Sequence, residues 1–196
     1  YRAGEAHLAA GDPTKAVAKL AVFRDKGEFH NREAISDRAM LRLGQAHLRA
    51  KQYDLARQAF ETLIQRFGPA NPYAADARYG VAVCLQAQGK FDEAVAAYQA
   101  VIAATTGETA AKSQLQIGEC RHAQKRYAEA AAAYQVVPLS YDAFPELGYA
   151  ALMEASRAFT DSGDPAQAEL MLKKLLKEAP AGSEWAKAAA ERAKKK

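Results

Sequence analysis

The sequence predicts an all-α solenoid of antiparallel helix pairs, about five hairpins followed by a C-terminal capping helix. Three observations predict it. Of the 196 residues, 49% are apolar, with alanine a large contributor and Gly and Pro modest. Apolar positions recur at three and four residues on both sides of short breaks. The chain also resembles itself at a steady interval. The first two features favour closely packed helices over sheets, and the third marks stacked units that each bury a face against the next.

The interval is carried by four columns. One alanine recurs at Ala16, Ala56, Ala94, Ala130 and Ala168, with spacings of 40, 38, 36 and 38 residues. Twelve residues before each stands a small residue: Gly4, Gly44, Ala82, Gly118 and Ser156. Four residues after each stands a large one: Leu20, Phe60, Tyr98, Tyr134 and Leu172. Three residues before each is a ring: Pro13, Tyr53, Phe91, Tyr127 and Pro165. Small residues on the first helix of a pair allow it to cross the alanine column of the second closely, and the large residue fills the wedge where the two diverge.

The elements follow in order. Residues 1–32 read as a first unit that lacks the start of its first helix, since Tyr1 falls partway along it and no initiator Met precedes it; the sequence therefore reads as a piece of a longer protein. Its turn, "GDP" at Gly11 to Pro13, supplies a turn glycine, an Asp cap and a Pro at the first helical position. In residues 33–70, Met40, Leu43, Gly44 and His47 give one helical stripe, and after "RAKQ" Ala56, Ala59, Phe60, Leu63 and Phe67 give the other. Residues 71–107 open on Asn71 and Pro72 as a cap and first turn. Residues 108–143 follow "AATTGET". Residues 144–182 repeat "GDP" at Gly163 to Pro165. Residues 183–196 read as the capping helix, with Ser183 its cap, Trp185 packed on the last unit and the lysines of "ERAKKK" on a solvated face at the dipole's negative end.

The column pattern, as in Gly44, Tyr53, Ala56 and Phe60, resembles the tetratricopeptide repeat across nearly the whole chain. That resemblance implies a right-handed superhelix with a concave side lined mainly by first helices. The units exceed the usual length of about 34 residues. Proline after the second helix is irregular, approximated by Pro69, Pro138 and Pro180. The longer period and joins such as "RFGPANPYAADARYGVAV" resemble the arrays of bacterial envelope proteins, including Tol-Pal-associated and outer-membrane-assembly lipoproteins. By that likeness the expected compartment is the periplasm or cell envelope, with the cytoplasm as the alternative.

Composition excludes several functions. A net charge of +4, from 27 basic and 23 acidic residues, gives only weak attraction to polyanions, so nucleic acid is not indicated. No run approaches the roughly 18 apolar residues of a membrane span. His7 and His47 share a column with Leu85, Arg121 and Phe159, which is a packing position, and no HExxH or Cys/His cluster surrounds them; His30 and His122 add no constellation. Cys84 and Cys120 stand where other units have Ala6, Ala46 and Ala158, so they read as small, buried residues rather than a disulfide or redox pair. Asp54, Asp92 and Glu93 start second helices, where the dipole favours a carboxylate. No phosphate loop is present. The chain therefore reads as non-catalytic, with no metal and no cofactor.

The tetratricopeptide resemblance implies a partner protein on the concave face. Its lining positions map onto Leu41 and Gln45, Tyr79 and Val83, Leu115 and Glu119, Met153 and Arg157, with Arg38, Asp76 and Lys112 one turn earlier. The Lys, Asn and Arg clamp with which some family members hold a terminal carboxylate is not reproduced. An amphipathic helix or extended apolar segment is thus the expected ligand. A spacer or oligomerisation segment of a larger protein is the alternative, and the oligomeric state is open.

Overall fold

The computed structural model describes residues 1–30, 32 and 35–194. Every regular element among them is helical. In order they are α1 (Arg2–Ala9), α2 (Pro13–Leu20), α3 (Val22–Asp25), a 3-10 turn (Gly27–Phe29), α4 (Ser36–Arg49), α5 (Tyr53–Phe67), α6 (Ala74–Ala87), α7 (Phe91–Ala104), α8 (Glu108–Ala123), α9 (Tyr127–Ser140), α10 (Pro145–Asp161), α11 (Pro165–Glu178) and α12 (Glu184–Lys194). The chain divides into two compact units, residues 1–97 and residues 98 onward, with the division inside α7.

All five first helices end in the same way. His7, His47, Leu85, Arg121 and Phe159 each accept a backbone hydrogen bond from the residue five further on, at 2.9 to 3.0 Å. The intervening left-handed residues are Gly11, Lys51, Gly89, Lys125 and Gly163, with φ of 75°, 58°, 76°, 60° and 82°. This is the Schellman closure, which satisfies the last carbonyls of a helix and turns the chain back. The histidine column is therefore the place where the main chain reverses.

Second helices then start by two routes. Asp12 and Asp164 accept from the amides of Lys15 and Gln167 at 3.0 Å, each ahead of a proline in the first turn. Gln52 and Arg126 stand at the same place without a side-chain cap. Asn71 differs from expectation. Its side chain accepts from the amide of Tyr73 at 2.9 Å, so it closes a turn before α6 rather than capping that helix. Pro138 also departs from it: it lies inside α9, which continues to Ser140. Ser183 accepts from Ala186 at 3.2 Å and caps α12 as expected; Lys195 and Lys196 lie outside the described residues.

Within residues 1–97 the core gathers around Leu20, Met40, Leu43, Phe60 and Leu63, and within the second unit around Tyr134, Val137, Leu152, Leu172 and Leu175. The alanine column is 0% exposed at Ala16, Ala56, Ala94 and Ala130, and 6% at Ala168. Burying a ring such as Phe60 contributes roughly 2 to 3 kcal/mol. The small column does something more specific than meeting alanine. A Cβ on Gly4 would stand 2.5 Å from Leu20 Cγ, and one on Gly44 or Gly118 would run into the ring of Phe60 or Tyr134. The glycines thus make room for the large residue sixteen positions on. Gly80, on the following first helix, closes on the other side of the Phe60 ring at 2.5 Å.

Candidate functional site

The positions expected to face a partner all fall on first helices: Arg38, Leu41 and Gln45 on α4, Asp76, Tyr79 and Val83 on α6, Lys112, Leu115 and Glu119 on α8, Met153 and Arg157 on α10. Most are exposed or half-buried. Leu41 does not reach the surface expected of it: it is 5% exposed and belongs to the core, because α4 is packed by α2, α5 and α6. Leu115 and Met153 lie partly buried on the margin of the second core. Burial raises the Tyr79 phenol above its ordinary pKa.

In the first unit, side chains from successive first helices reach one another. Arg38 Nε donates to Tyr73 Oη at 3.0 Å, and its guanidinium stands 5.9 Å from that ring and 6.0 Å from the ring of Tyr1. Arg42 on α4 donates to Glu5 on α1 at 3.2 Å and to Gln45 at 2.8 Å. Glu5 also accepts from the Tyr1 hydroxyl, and that bond, followed by the Arg42 contact, holds its carboxyl below the usual range against the opposing effect of burial. Asn71 donates to Asp37 at 2.9 Å.

The second unit repeats the pattern with other residues. Arg157 lies 3.5 Å from Glu119 on α8 and 2.8 Å from Glu154 on its own helix. Glu154 Oε2 and Arg157 Nε are both buried without a well-directed hydrogen bond among the described residues. Burial pushes the Glu154 carboxyl up, against the opposing pull of Arg157. Beneath them Tyr134 is 0% exposed, and its phenol is raised by burial and then by Glu119. His122 lies 2.7 Å from Asp161. Lys112 pairs instead with Glu108, one turn back on its own helix, at 2.9 Å.

Sequence reasoning did not anticipate that Glu5 and Arg42 would pair in the first unit, or Glu154 with Arg157 and His122 with Asp161 in the second. It also missed a groove of about 930 Å³ in the second unit, bounded by α10, α11 and α12 and lined by Met153, Ser156, Leu172, Trp185 and Arg192 among others. The Trp185 indole is fixed by a 2.6 Å bond to Glu146.

His47 is 2% exposed, with Nδ1 at 2.7 Å from Gln52 Oε1 and Nε2 unpartnered among the described residues. His30 Nε2 meets the Arg24 carbonyl at 2.8 Å. Cys84 and Cys120 are buried thiols. No three His, Cys, Asp or Glu side chains converge to hold a metal among the described residues. No helix among them is long and apolar enough to cross a membrane.

The sequence profile of the tetratricopeptide repeat matches residues 1–72, 41–109, 85–147 and 108–183. Comparison with curated protein sequences gives no match. Among solved structures, MamA from Desulfovibrio magneticus RS-1 is similar at 18% identity and a TM-score of 0.65, covering 89% of this chain and 90% of that one. BtubC from P. vanneervenii is similar at 13% identity and a TM-score of 0.73, over 89% and 76%. YrrB, described as a tetratricopeptide protein with an unusual peptide-binding site, is similar at 16% identity and a TM-score of 0.63, over 98% and 89%.

Proposed function

The chain belongs to the tetratricopeptide repeat family, and from that premise we propose that it is a non-catalytic scaffold that holds a peptide or helix of a partner protein against its first helices. A likeness to a peptide-binding protein of the same fold supports the reading. The observation that carries it is the adjacency of first-helix side chains from successive hairpins: Arg42 with Glu5, and Arg157 with Glu119. Within each unit such side chains offer a partner charged pairs on first helices that also carry Tyr79 and Val83 in the first unit and Leu115 and Met153 in the second. Amphipathic segments suit a surface of this kind. An extended apolar segment, the other expected ligand, suits it less, since Leu41 is buried.

The reading is tested by placing a photo-crosslinking residue at Gln45, Tyr79 or Arg157 of the full-length protein and, as a control, at Leu170, which is 51% exposed on a second helix. We expect a discrete partner attached from the first-helix positions and not from Leu170. Attachment from Leu170 alone, or from none of the four, would sink the proposal.

A further inference from the structure

Two carboxylates stand in the second unit at registers where the first unit places an ion pair. Glu5, one residue after Gly4 in the small column, is met at 3.2 Å by Arg42, two residues before Gly44. The same registers on α8 and α10 carry Glu119, one residue after Gly118, and Glu154, two residues before Ser156. An acid stands in the arginine's place. Arg157, one turn along α10, serves both carboxylates: its Nη2 lies 2.8 Å from Glu154 Oε2 and 3.5 Å from Glu119 Oε2. Beneath them Tyr134, 0% exposed, brings its hydroxyl under the influence of the same two groups.

One guanidinium and one phenol cannot serve two carboxylates equally. Glu154 Oε2, Arg157 Nε and Tyr134 Oη are all buried without a well-directed hydrogen bond among the described residues. Like charges at such a site raise the cost of ionising both acids. A proton from solvent relieves the shortage: Glu154 becomes a donor, its claim on the guanidinium lapses, and Glu119 is left as the anion for Arg157. Glu154 is the acid that takes it, since burial raises its carboxyl first and Glu119 raises it further, against Arg157, Arg192 and His122. The groups facing it are Glu119 and His122 from α8, Tyr134 from α9, Arg192 from α12 and Arg157 on its own helix. His122 lies 2.7 Å from Asp161. From α11, Glu169 lines the groove it shares with Arg192 and is paired with Lys173 at 2.9 Å.

The geometry points to a proton switch in which Glu154, on taking up a proton, releases Arg157 to Glu119 and so strengthens the tie between α8 and α10. The inference deepens the scaffold reading and rests on it for what the switch acts on. Arg157 and Glu119 are positions offered to the partner, and acid removes one negative charge from beside them. The charge a partner meets on these two helices is thereby set by pH.

The switch is read by NMR in the folded chain with no partner added, from the side-chain carboxyl carbons of Glu119 and Glu154 and the Nε–H signal of Arg157, assigned by its loss in Arg157→Lys. We expect the Glu154 carboxyl to titrate with a midpoint above 4.5 and the Arg157 signal to move with that midpoint. In Glu154→Gln the Arg157 signal should sit near its acid position throughout the window. In His122→Gln the two movements should still coincide. A Glu154 midpoint at or below 4.5 would overturn the inference. So would an Arg157 signal that stays still, follows a titration of Glu119 alone, or loses its movement in His122→Gln. Loss of helix by circular dichroism before Glu154 titrates would do the same. Should Glu154→Gln fail to fold, the two midpoints of the parent decide. A chain that crosslinks its partner at Tyr79 but lacks this titration loses the switch and keeps the scaffold reading; a chain that titrates as expected but crosslinks no partner keeps the switch and loses the scaffold reading.

Discussion

The ring of Phe60 occupies the space into which a side chain on Gly80 would grow: a Cβ there would stand 2.5 Å from the ring's Cε2. Alanine is the better helix former by about 1 kcal/mol, so helix propensity alone predicts that Gly80→Ala stabilises α6. Overpacking against a fully buried ring costs about 1 to 3 kcal/mol, and we expect it to win. Gly80→Ala should lower the urea midpoint followed by circular dichroism, and adding Phe60→Leu should recover part of the loss. A midpoint above the parent's would show that the ring can move aside.

Lys51 and Lys125 hold φ of 58° and 60° where three other hairpins place glycine. A left-handed backbone strains a residue with a Cβ, and glycine relieves it. Lys51→Gly and Lys125→Gly should each stabilise by about 0.5 to 1 kcal/mol. Both side chains are exposed or half-exposed, so little packing is lost. The reciprocal change, Gly89→Lys, should destabilise. Thermal melts of the three variants check the set.

Burial pushes the Cys84 thiol up to about 12, and the side chain is 0% exposed. The thiolate is the reactive form, so Cys84 should resist iodoacetamide at pH 8 in the folded chain and react once the first unit opens. Mass spectrometry of labelled peptides along a urea series should show modification of Cys84 tracking the loss of helix. Rapid labelling without urea would contradict its burial.

Glu154 gives a pH dependence with a definite sign. Its folded pKa is raised above the ordinary 4.5, first by burial, with Glu119 adding and Arg157, Arg192 and His122 opposing. The folded state therefore holds the proton more tightly than the unfolded chain. Its burden on stability is complete above the raised value and disappears as pH falls toward 4.5. Glu154→Gln cannot titrate. The parent should gain stability relative to that variant on acidification through this window, and a parallel pair of stability curves would refute the assignment.

Fold class was legible because packing residues repeat and the eye can align them: a glycine or alanine, then a ring, an alanine and a bulky wedge. The reversals were nearly legible too. Seven residues after the small column stand Gly11, Gly89 and Gly163, and that company marks Lys51 and Lys125 as left-handed. The face was harder. Leu41 has an apolar side chain at a lining register, and only the neighbours of α4 show that it is enclosed. Arg42, Glu5, Glu154 and Arg157 pair through long side chains, and which ones meet depends on how adjacent first helices sit, which a column of letters does not carry.

The Schellman closures have a consequence beyond the turns they make. Each is built from main-chain donors and acceptors, and the residues that span it range from Gly-Asp to Lys-Gln, Gly-Lys and Lys-Arg. A joint written in the main chain does not depend on the identity of the side chains it joins. First and second helices could then be recombined as cassettes at these joints, with the breakpoint between the left-handed residue and its successor. The requirements left to match would be the wedge residue and the small residue that receives it.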